Sequence, residues 1–266
     1  MPPSPCKLLH LTDVHFGGED VAAAEAAVAF ANDYAPLLTV MTGDVTLNGL
    51  PKEFQAGAKW LGRLPHPLVV TPGNHDTPYW NIPLRALLPF GRYHRWIGPS
   101  SGVGFDSAAL GVRMINTSRG AQPRPDWSKG AINLELCRSA AADLAKADPG
   151  ALRVVGLHHP LVEAEGAPVT GGVHRGTLAA AILAEGGVDL ILSGHVHNPF
   201  AVNLPACDGL TYAVGAGTLS VRLRGTPPSF NTVEWDDREI RICAQGWTGE
   251  RFEPFRGWTV PRRARA

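Results

Sequence analysis

Five short polar clusters in this sequence combine aspartate, asparagine and histidine in a way that suits metal binding. The first is Asp13-Val14-His15, which follows an apolar run over residues 7–12. Two residues that are two positions apart on an extended chain point to the same side, so Asp13 and His15 together offer a carboxylate oxygen and an imidazole nitrogen. This is a common donor pair for a transition-metal ion. Alone, the pair also fits an ordinary strand end followed by a polar turn.

Four further clusters occur in the same context, each directly after a predicted strand. They are Gly43-Asp44, Gly73-Asn74-His75-Asp76, His158-His159-Pro160 and Gly194-His195-Val196-His197. Six of the ten histidines of the chain fall in the five clusters. Because ligands of open α/β sheets bind beyond the carboxyl ends of the strands, we expect the clusters to converge on one pocket.

The donor types in these clusters suit a site for two metal ions. A carboxylate has two oxygens with several lone pairs, so Asp44 is able to bridge two cations. Two divalent ions bring four positive charges, and Asp13, Asp44 and a bridging hydroxide remove three, which leaves a positive site for an anionic phosphate. Four imidazoles without a thiolate favour Fe, Mn, Zn or Co over Mg or Ca. The expected ligands are Asp13, His15, Asp44 and His197 for one metal, and Asp44, Asn74, His158 and His195 for the other.

The hydrophobic pattern that positions these clusters predicts an α/β protein. Apolar runs of strand length alternate with helical patterns, an order that implies a largely parallel sheet with right-handed crossovers. A hairpin with its turn at Gly111 is predicted within residues 105–116. The other predicted strands of this part are 6–12, 37–42, 67–71, 152–157 and 188–192, and the predicted helices are 20–32, 51–61, 133–147 and 177–185.

Two segments depart from this alternation. The proline-rich residues 77–104 are interpreted as an insertion over the sheet's edge and the active site. After His197, short strands without helices between them predict antiparallel strands that form a second sheet. We expect a single domain over residues 1–250 and a basic, poorly ordered tail over residues 251–266, which carry five arginines.

Composition narrows the classes of function. Of the 266 residues, 44% are hydrophobic. Lys plus Arg and Asp plus Glu each total 24, so the formal net charge is zero and does not favour binding to nucleic acid or to an anionic membrane. The N-terminus lacks the pattern of a signal peptide, and no apolar run approaches the roughly 20 residues of a membrane span. The scattered cysteines favour a reducing compartment, so a cytoplasmic protein is expected. They are Cys6, Cys137, Cys207 and Cys243.

In this order the five clusters resemble the motifs of the calcineurin-like metallophosphoesterase superfamily, which read D-x-H, G-D, G-N-H-[DE], H-x-P and G-H-x-H. The resemblance spans about residues 8 to 198, and it is greatest for the bacterial cyclic-nucleotide and glycerophosphodiester phosphodiesterases. It implies a four-layer αββα sandwich, in which two packed mixed sheets are flanked by helices and a dinuclear metal site lies at the strand ends. It implies the ligands named above and selects His158 rather than His159 at the fourth motif.

The resemblance also implies a chemistry, the hydrolysis of a small phosphodiester by attack of a metal-bridging hydroxide. His75 resembles the family's non-ligand histidine, which stabilises the transition state or protonates the leaving oxygen. An imidazole exists in both protonation forms near neutral pH, as general acid–base catalysis requires. Asp76 is expected to orient His75 through a hydrogen bond.

Substrate contacts are assigned to three residues outside the ligand set. Arg119 follows a predicted strand and is expected to reach a substrate oxygen, and His174 is expected at the pocket mouth. His159 is expected to support a metal ligand or to face the substrate. The insertion mixes arginines with aromatics, which suits a phosphate and a base, but for most of these residues we favour anchoring of the insertion.

Three rival functions remain open at this point. A phosphomonoesterase would need additional cations, because a monoester carries up to two negative charges. A nuclease of the same superfamily is disfavoured by the zero net charge. A non-catalytic scaffold that binds protein partners would typically lack some ligands or the histidine of the third motif, whereas this chain keeps all of them. The oligomeric state is not predicted.

Overall fold

Two six-stranded sheets pack face to face in this protein, with helices on both outer faces. The computed structural model describes residues 6–124, 126–162, 172–204 and 208–264. The αββα sandwich expected from the resemblance is confirmed. None of the helices within the described residues is both long and apolar enough to cross a membrane.

The first sheet has the strand order β12-β11-β10-β1-β2-β3. Its parallel part, β1 to β3, is joined by the helices α1 and α2, and β10 to β12 add antiparallel strands at the other side of β1. The elements are β1 (Cys6–Leu11), α1 (Val21–Tyr34), β2 (Leu38–Met41), α2 (Pro51–Leu61), β3 (Leu68–Val70), β10 (Ser229–Trp235), β11 (Glu239–Trp247) and β12 (Phe252–Pro261).

The second sheet has the order β4-β5-β6-β7-β9-β8, with a parallel centre and one antiparallel strand at each edge. Two helices, α5 and α6, cover its outer face. The elements are β4 (Gly104–Asp106), β5 (Leu110–Ile115), α5 (Leu134–Leu144), β6 (Leu152–Leu157), α6 (Gly176–Glu185), β7 (Leu190–Ser193), β8 (Phe200–Leu204) and β9 (Thr211–Gly215).

Alternating side chains of the strands contribute to different hydrophobic layers. On β1, Leu8 lies in the layer between the sheets, whereas Leu9 and Leu11 pack with α1 and α2. On β6, Val154 lies in the central layer and Val155 packs with α5 and α6. Because both faces of these strands are buried, their sequences are predominantly apolar and do not alternate regularly with polar residues.

Residues 77–104 contain two short helices, α3 (Ile82–Leu87) and α4 (Gly91–Trp96). Tyr93 is fully buried, and its ring packs edge-on against Phe54 of α2 with the centroids 6.4 Å apart. Arg92 Nη1 donates a 2.7 Å hydrogen bond to the carbonyl of Gly49. The segment is therefore anchored on α2 and on the loop before it.

The expectation that the strands after His197 form a separate second sheet is wrong. β8 and β9 extend the sheet of β7, whereas β10 pairs with β1 in the other sheet. Each strand pairs with a sheet edge that still has unpaired N–H and C=O groups. The alternation of polar and apolar residues within a strand does not specify which sheet edge that is.

The turn of the β4–β5 hairpin was also predicted in the wrong place. Gly111 pairs with Asp106 inside the ladder, and the chain reverses at residues 107–109. Ser107 makes this turn, because its hydroxyl accepts from Leu110 N at 3.1 Å. The absence of a side chain at Gly111 serves packing instead, since a Cβ there would lie 3.0 Å from Leu144 of α5.

The tail predicted over residues 251–266 is wrong as well, because most of it is the edge strand β12. Trp258 and Val260 pack on the central layer, and the four residues from Pro254 to Gly257 are exposed. Charged residues and proline are common on edge strands, where they discourage pairing with another chain. In sequence they have the composition of a solvated tail.

Arg263 ties the end of this strand to the second sheet. Its guanidinium donates to both oxygens of Asp208, at 2.6 and 2.8 Å, and to Asp189 Oδ1 at 3.3 Å. We expect Arg263→Gln to lower the free energy of unfolding by about 1–3 kcal/mol, because the buried Asp189 loses a charged partner. Urea denaturation measures the change. Arg251→Gln is the matched control, since Arg251 pairs with Glu253 while 74% exposed; an equal effect of both variants would contradict the prediction.

Candidate active site at the strand ends

Five strands from both sheets end at one common rim. Each of the loops that follow β1, β2, β3, β6 and β7 carries one of the five polar clusters. The loops touch across the seam, since His195 N donates to Asp13 Oδ2 at 2.8 Å and His158 Nδ1 contacts the carbonyl of Thr42 at 2.8 Å. The candidate site therefore lies between the sheets and depends on their packing.

The backbone is strained where it enters this site. Asp13, His15, Asp44, His195 and His197 have φ between 51° and 67°, in the left-handed region. Among the other described non-glycine residues, only two share this conformation. Each such residue costs about 1–3 kcal/mol, and such strain clusters at functional sites. The conformation turns the chain sharply at a strand end, which lets neighbouring side chains enter the same pocket.

Two glycines of the motifs allow the loops to approach each other closely. A Cβ on Gly73 would overlap Asp44 Oδ1, and a Cβ on Gly194 would overlap both Thr12 Oγ1 and Asp13 Oδ2. The glycines are thus required by the positions of the two carboxylates.

Asp13, His15 and His197 form the first buried group. His197 Nε2 lies 3.1 Å from Asp13 Oδ1 and 3.2 Å from His15 Nε2. Asp13 Oδ2 is already engaged, by the Thr12 hydroxyl at 2.6 Å and by the backbone N–H of His195 at 2.8 Å. The oxygen left to face the two imidazoles is Oδ1.

Asp44, Asn74 and His158 form the second group. His158 Nε2 lies 3.1 Å from Asn74 Oδ1 and 3.3 Å from Asp44 Oδ2. The ring of His195 is close by, with its centroid 5.2 Å from that of His158. The structure thus brings every expected metal ligand into two adjoining groups.

Asp44 joins the two groups and has one unused oxygen. Its Oδ1 accepts from His75 N at 2.8 Å, whereas Oδ2 is buried and has no hydrogen-bond donor among the described residues. That oxygen lies 3.7 Å from His15 Nε2 and 3.3 Å from His158 Nε2. A buried carboxylate oxygen without a donor is costly, and a cation on either side of it would satisfy it. The donor set therefore fits two metal ions that share Asp44.

Hydrogen bonds outside the groups orient two of the imidazoles. His158 Nδ1 lies 2.8 Å from the carbonyl of Thr42, and His197 Nδ1 lies 2.8 Å from the carbonyl of Arg222. Because a carbonyl only accepts, each Nδ1 must carry a hydrogen, so Nε2 is the nitrogen of each ring that faces the site and would bind a cation in its deprotonated form. This arrangement is typical of metal-binding histidines.

Burial and the carboxylates act on the protonation of the imidazoles in opposite directions. Burial lowers the pKa of His15 to about 4. Burial acts the same way on His158, but there the charges of Asp44 and Asp13 outweigh it and raise the pKa to about 9. Metal ligation requires neutral imidazoles, so a cation bound beside Asp44 would take the place of the proton on His158.

His75 faces the site but is not oriented by Asp76, so that prediction is wrong. His75 Nδ1 donates to the carbonyl of Leu47 at 2.6 Å, and its Nε2 lies 2.9 Å from Arg222 Nη1. The Asp76 carboxylate instead accepts from the backbone N–H groups of Val45, Thr46 and Gly73 and from the Thr46 hydroxyl. Burial, followed by repulsion from Asp44, raises the pKa of Asp76 to about 7 against these donors. Asp76 pins the loops after β2 and β3 together.

We expect Asp76→Asn to act on stability. The amide NH₂ would confront backbone donors, so the free energy of unfolding should fall by about 1–3 kcal/mol, as measured by urea denaturation. Asp33→Asn, at an exposed position of α1, is the control. A loss of kcat at unchanged stability would instead restore the role of Asp76 in orienting His75.

The three residues assigned to substrate binding lie outside the lining of the cavity. Arg119 donates to the carbonyl of its neighbour Ser118 at 3.4 Å, and His174 is exposed on the segment that enters α6. His159 has both ring nitrogens engaged, with Thr117 Oγ1 at 2.8 Å and the carbonyl of Ser128 at 2.7 Å. None of the three is among the described residues that line the cavity. His159 nevertheless packs against two expected metal ligands, with its ring centroid 4.8 Å from that of His158 and 4.6 Å from that of His195, as the first of its two expected roles requires.

A cavity of about 880 Å³ opens at the two ligand groups. Its lining includes parts of the insertion, the loop before α5 and a loop after β9. Besides Asp44, Asn74, His75, His195 and His197, the lining residues are Tyr79, Ile82, Arg85, Asp126, Trp127, Ser128, Lys129, Arg222 and Arg224.

Arg222 and Arg224 were missed by the sequence analysis. They lie in Val221-Arg222-Leu223-Arg224, where arginine and apolar residues alternate. An alternation of this kind normally predicts that the apolar residues are buried, so it did not indicate a site.

The sequence of this chain is similar to those of known proteins. The sequence pattern described as calcineurin-like phosphoesterase matches residues 6–199. The glycerophosphodiester phosphodiesterase GpdQ of Enterobacter lignolyticus (strain SCF1) is 35% identical over 80 residues, an alignment that covers 26% of this chain and 29% of that protein. The matched part therefore spans less than a third of the curated relative.

Solved structures share the fold over nearly the whole chain. PhoD has a TM-score of 0.70 at 10% identity, covering 97% of this chain and 70% of that one. The purple acid phosphatase PPD1 from yellow lupin (Lupinus luteus) seeds has 0.66 at 14% identity, covering 97% and 54%. GAP50, the anchor in the inner membrane complex of Plasmodium, has 0.67 at 13%, covering 98% and 90%. At these identities the likeness shows the fold alone.

Proposed function

The chain belongs to the calcineurin-like phosphoesterase family, and on this premise we propose that it is a metal-dependent phosphodiesterase that hydrolyses a small phosphodiester of the cyclic-nucleotide or glycerophosphodiester type. The observation that carries the hydrolase is the donorless Asp44 Oδ2 between two groups of metal-binding side chains. The preference for a diester is supported by the partial match to a glycerophosphodiester phosphodiesterase.

In this proposal the two ligand groups are the ones expected from sequence. Asp13, His15 and His197 would hold one cation, Asn74, His158 and His195 would hold the other, and Asp44 would contribute to both. Two cations in these positions would lower the pKa of a water molecule and polarise the phosphoryl oxygens of the substrate. The mixture of imidazole and oxygen donors suits Fe, Mn, Zn or Co.

The remaining residues of the cavity would hold and position the substrate. His75 lies beside both groups, with its ring centroid 4.8 Å from that of His15. Its Nε2 accepts from Arg222 Nη1, so the ring would orient that guanidinium toward a phosphoryl oxygen, and His75 itself would meet a leaving-group oxygen once Arg222 moves away. Tyr79 stacks on His75 with 5.9 Å between centroids. Together with Trp127, Tyr79 gives the cavity an aromatic side for the organic part of a phosphoester.

The expected partner is thus a small-molecule phosphoester. A cytoplasmic location stays a prediction from the scattered cysteines. Cys6, Cys137 and Cys243 are free thiols in the structure, and Cys207 lies outside the described residues.

Turnover by metal-reconstituted protein tests this function. The panel compares bis-p-nitrophenyl phosphate, p-nitrophenyl phosphate, cyclic nucleotides and glycerophosphodiesters. We expect hydrolysis to depend on added metal and kcat/KM to be greater for diesters. A strong preference for the monoester would overturn the diesterase assignment, and no turnover with two metals bound would favour the scaffold.

Phosphomonoester hydrolysis is the second candidate, and one observation favours it. Arg222 and Arg224 add two positive charges to the lining of the cavity, and a doubly charged terminal phosphate would be stabilised by them. A nuclease has no comparable support, because the chain has zero net charge.

A further inference from the structure

In the segment from Val221 to Arg224 the apolar side chains are exposed and the charged side chains are half-buried, which is the reverse of the usual arrangement. Val221 and Leu223 are 66% and 49% exposed, whereas Arg222 and Arg224 are half-buried and line the cavity. Burying the apolar residues would stabilise the fold, and hydrating the arginines would avoid a desolvation cost. Because the chain does the opposite, folding stability does not explain this orientation.

The segment is held in place by the site itself. Val221 N donates to the carbonyl of Gly18 at 3.0 Å, and the carbonyl of Arg222 accepts from His197 Nδ1 at 2.8 Å. Thr226 Oγ1 also donates to the carbonyl of His197 at 3.2 Å. One expected metal ligand thus fixes the backbone that carries both arginines.

Arg85, another cation of the cavity, is already engaged by backbone carbonyls. Arg85 donates to the carbonyls of Gly120 and Trp127 at 3.0 and 3.3 Å. Arg85 is therefore poorly placed to bind a substrate anion. Lys129 also lines the cavity, but it lies on the same loop as the carboxylate of Asp126, which partly offsets its charge.

Arg222 and Arg224 differ from them, because no carboxylate of the described residues lies within 4.0 Å of either guanidinium. Arg222 Nη1 contacts His75 Nε2 at 2.9 Å, and Arg224 Nη1 contacts the carbonyl of His195 at 3.3 Å. Each guanidinium has five donors, so most donors of both remain available to a ligand.

We propose that Arg222 and Arg224 form an anion subsite that selects substrates with a second negative charge, beyond the single charge of a simple phosphodiester. The inference rests on the proposed phosphoesterase function of the same cavity. Two sources of that charge share this chemistry. One is a terminal phosphate with two charges, and the other is a separate anionic group on the alcohol part of a diester.

The geometry explains why arginine suits the position. Guanidinium groups bind phosphate oxygens through paired hydrogen bonds. Arg222 also contacts His75, so a bound anion would connect the subsite to the reaction centre. A half-buried cation without a carboxylate partner is attracted more strongly to an anionic ligand than a fully hydrated cation is, because the local dielectric constant is lower.

The test uses the metal-loaded full chain and two matched pairs of chromogenic probes. The first pair is p-nitrophenyl phosphate and bis-p-nitrophenyl phosphate. The second is thymidine 5′-(p-nitrophenyl phosphate) with and without a 3′-phosphate. Assays at about pH 8 keep terminal phosphates doubly charged, since their second pKa is about 6. The variants are Arg222→Gln and Arg224→Gln, with Arg138→Gln on the exposed face of α5 as the control.

We expect each site variant to lose at least about tenfold more kcat/KM on one of the doubly charged probes than on its singly charged partner, a difference of about 1.4 kcal/mol. A selective loss on p-nitrophenyl phosphate would identify the terminal phosphate as the source. A selective loss on the 3′-phosphorylated nucleotide would identify a separate group. Equal losses on both members of each pair would overturn the proposal, as would losses equal to those of Arg138→Gln.

Ligand binding separates this proposal from the proposed function, because it needs no turnover. Calorimetry compares phenylphosphonate with its singly charged methyl ester. The wild type should prefer the doubly charged compound, and Arg224→Gln should reduce that preference at least about fivefold. An unchanged preference would overturn the anion subsite, even in an active enzyme, and a reduced preference would support it even if no phosphoester were hydrolysed.

Discussion

Asp44→Asn is expected to lower kcat/KM on the order of 10³-fold or more, and to reduce the bound metal from about two ions per chain to one at most. Asp44 Oδ2 is the buried oxygen that faces His15 and His158 from between the two ligand groups. An asparagine has one carbonyl oxygen and no charge, so it cannot bridge two cations. Metal analysis of dialysed protein and steady-state kinetics measure the two effects.

A control separates loss of metal from loss of fold. Asp143→Asn removes an aspartate from α5 that is 43% exposed and paired with Lys146, so metal content and kcat should stay at the wild-type level. Thermal unfolding of both metal-free proteins reports whether Asp44→Asn still folds. If the folded Asp44→Asn protein kept two metal ions, Asp44 would not be the bridging ligand.

His75→Ala is expected to lower kcat by about 10²–10⁴-fold while metal content stays near that of the wild type. His75 belongs to neither ligand group in our assignment. Its ring is held by the carbonyl of Leu47 on one side and by Arg222 on the other. Since Nε2 accepts from Arg222, it carries no hydrogen in this arrangement, so proton donation to a leaving oxygen requires Arg222 to move away. If His75 instead stabilises the transition state, Arg222 does not need to move, because the uncharged ring then acts together with the guanidinium.

His94→Ala is the matched control for this prediction. His94 lies on α4, its Nε2 contacts Ser100 Oγ at 2.8 Å, and it does not line the described cavity. Its removal should leave kcat close to the wild-type value. Wild-type activity in His75→Ala would refute the assigned role, and loss of metal in that variant would make His75 a ligand.

The sequence predicted the elements around the site because each of them is a local pattern. α2 was expected over residues 51–61 and β6 over residues 152–157, and both have these bounds in the structure. The proline in the first turn of α2 and the predominantly apolar run of β6 are sufficient signals for these two elements. The pairing of the later strands was not predictable in this way, because β10 finds its partner β1 more than 200 residues away.

The same distinction applies to His75 and its surroundings. The sequence neighbour Asp76 was a reasonable candidate to orient the ring, but the loops after β2 and β3 pack so that Leu47 takes that place. Backbone carbonyls are present at every position, so sequence does not reveal which one a ring will meet. Arg222 likewise reaches His75 from a loop almost 150 positions later.

By itself, therefore, the sequence determined the chemistry of Asp13-Val14-His15 and of the four later clusters, because metal donors at strand ends are a property of residue type and local spacing. Tertiary structure decided which donors share a centre, since Asp13 and His197 approach each other only when the two sheets pack. It also decided that Arg222 and Arg224 turn inward while Val221 and Leu223 stay exposed. That orientation depends on hydrogen bonds to His197 and Gly18 from distant parts of the chain, which no local pattern encodes.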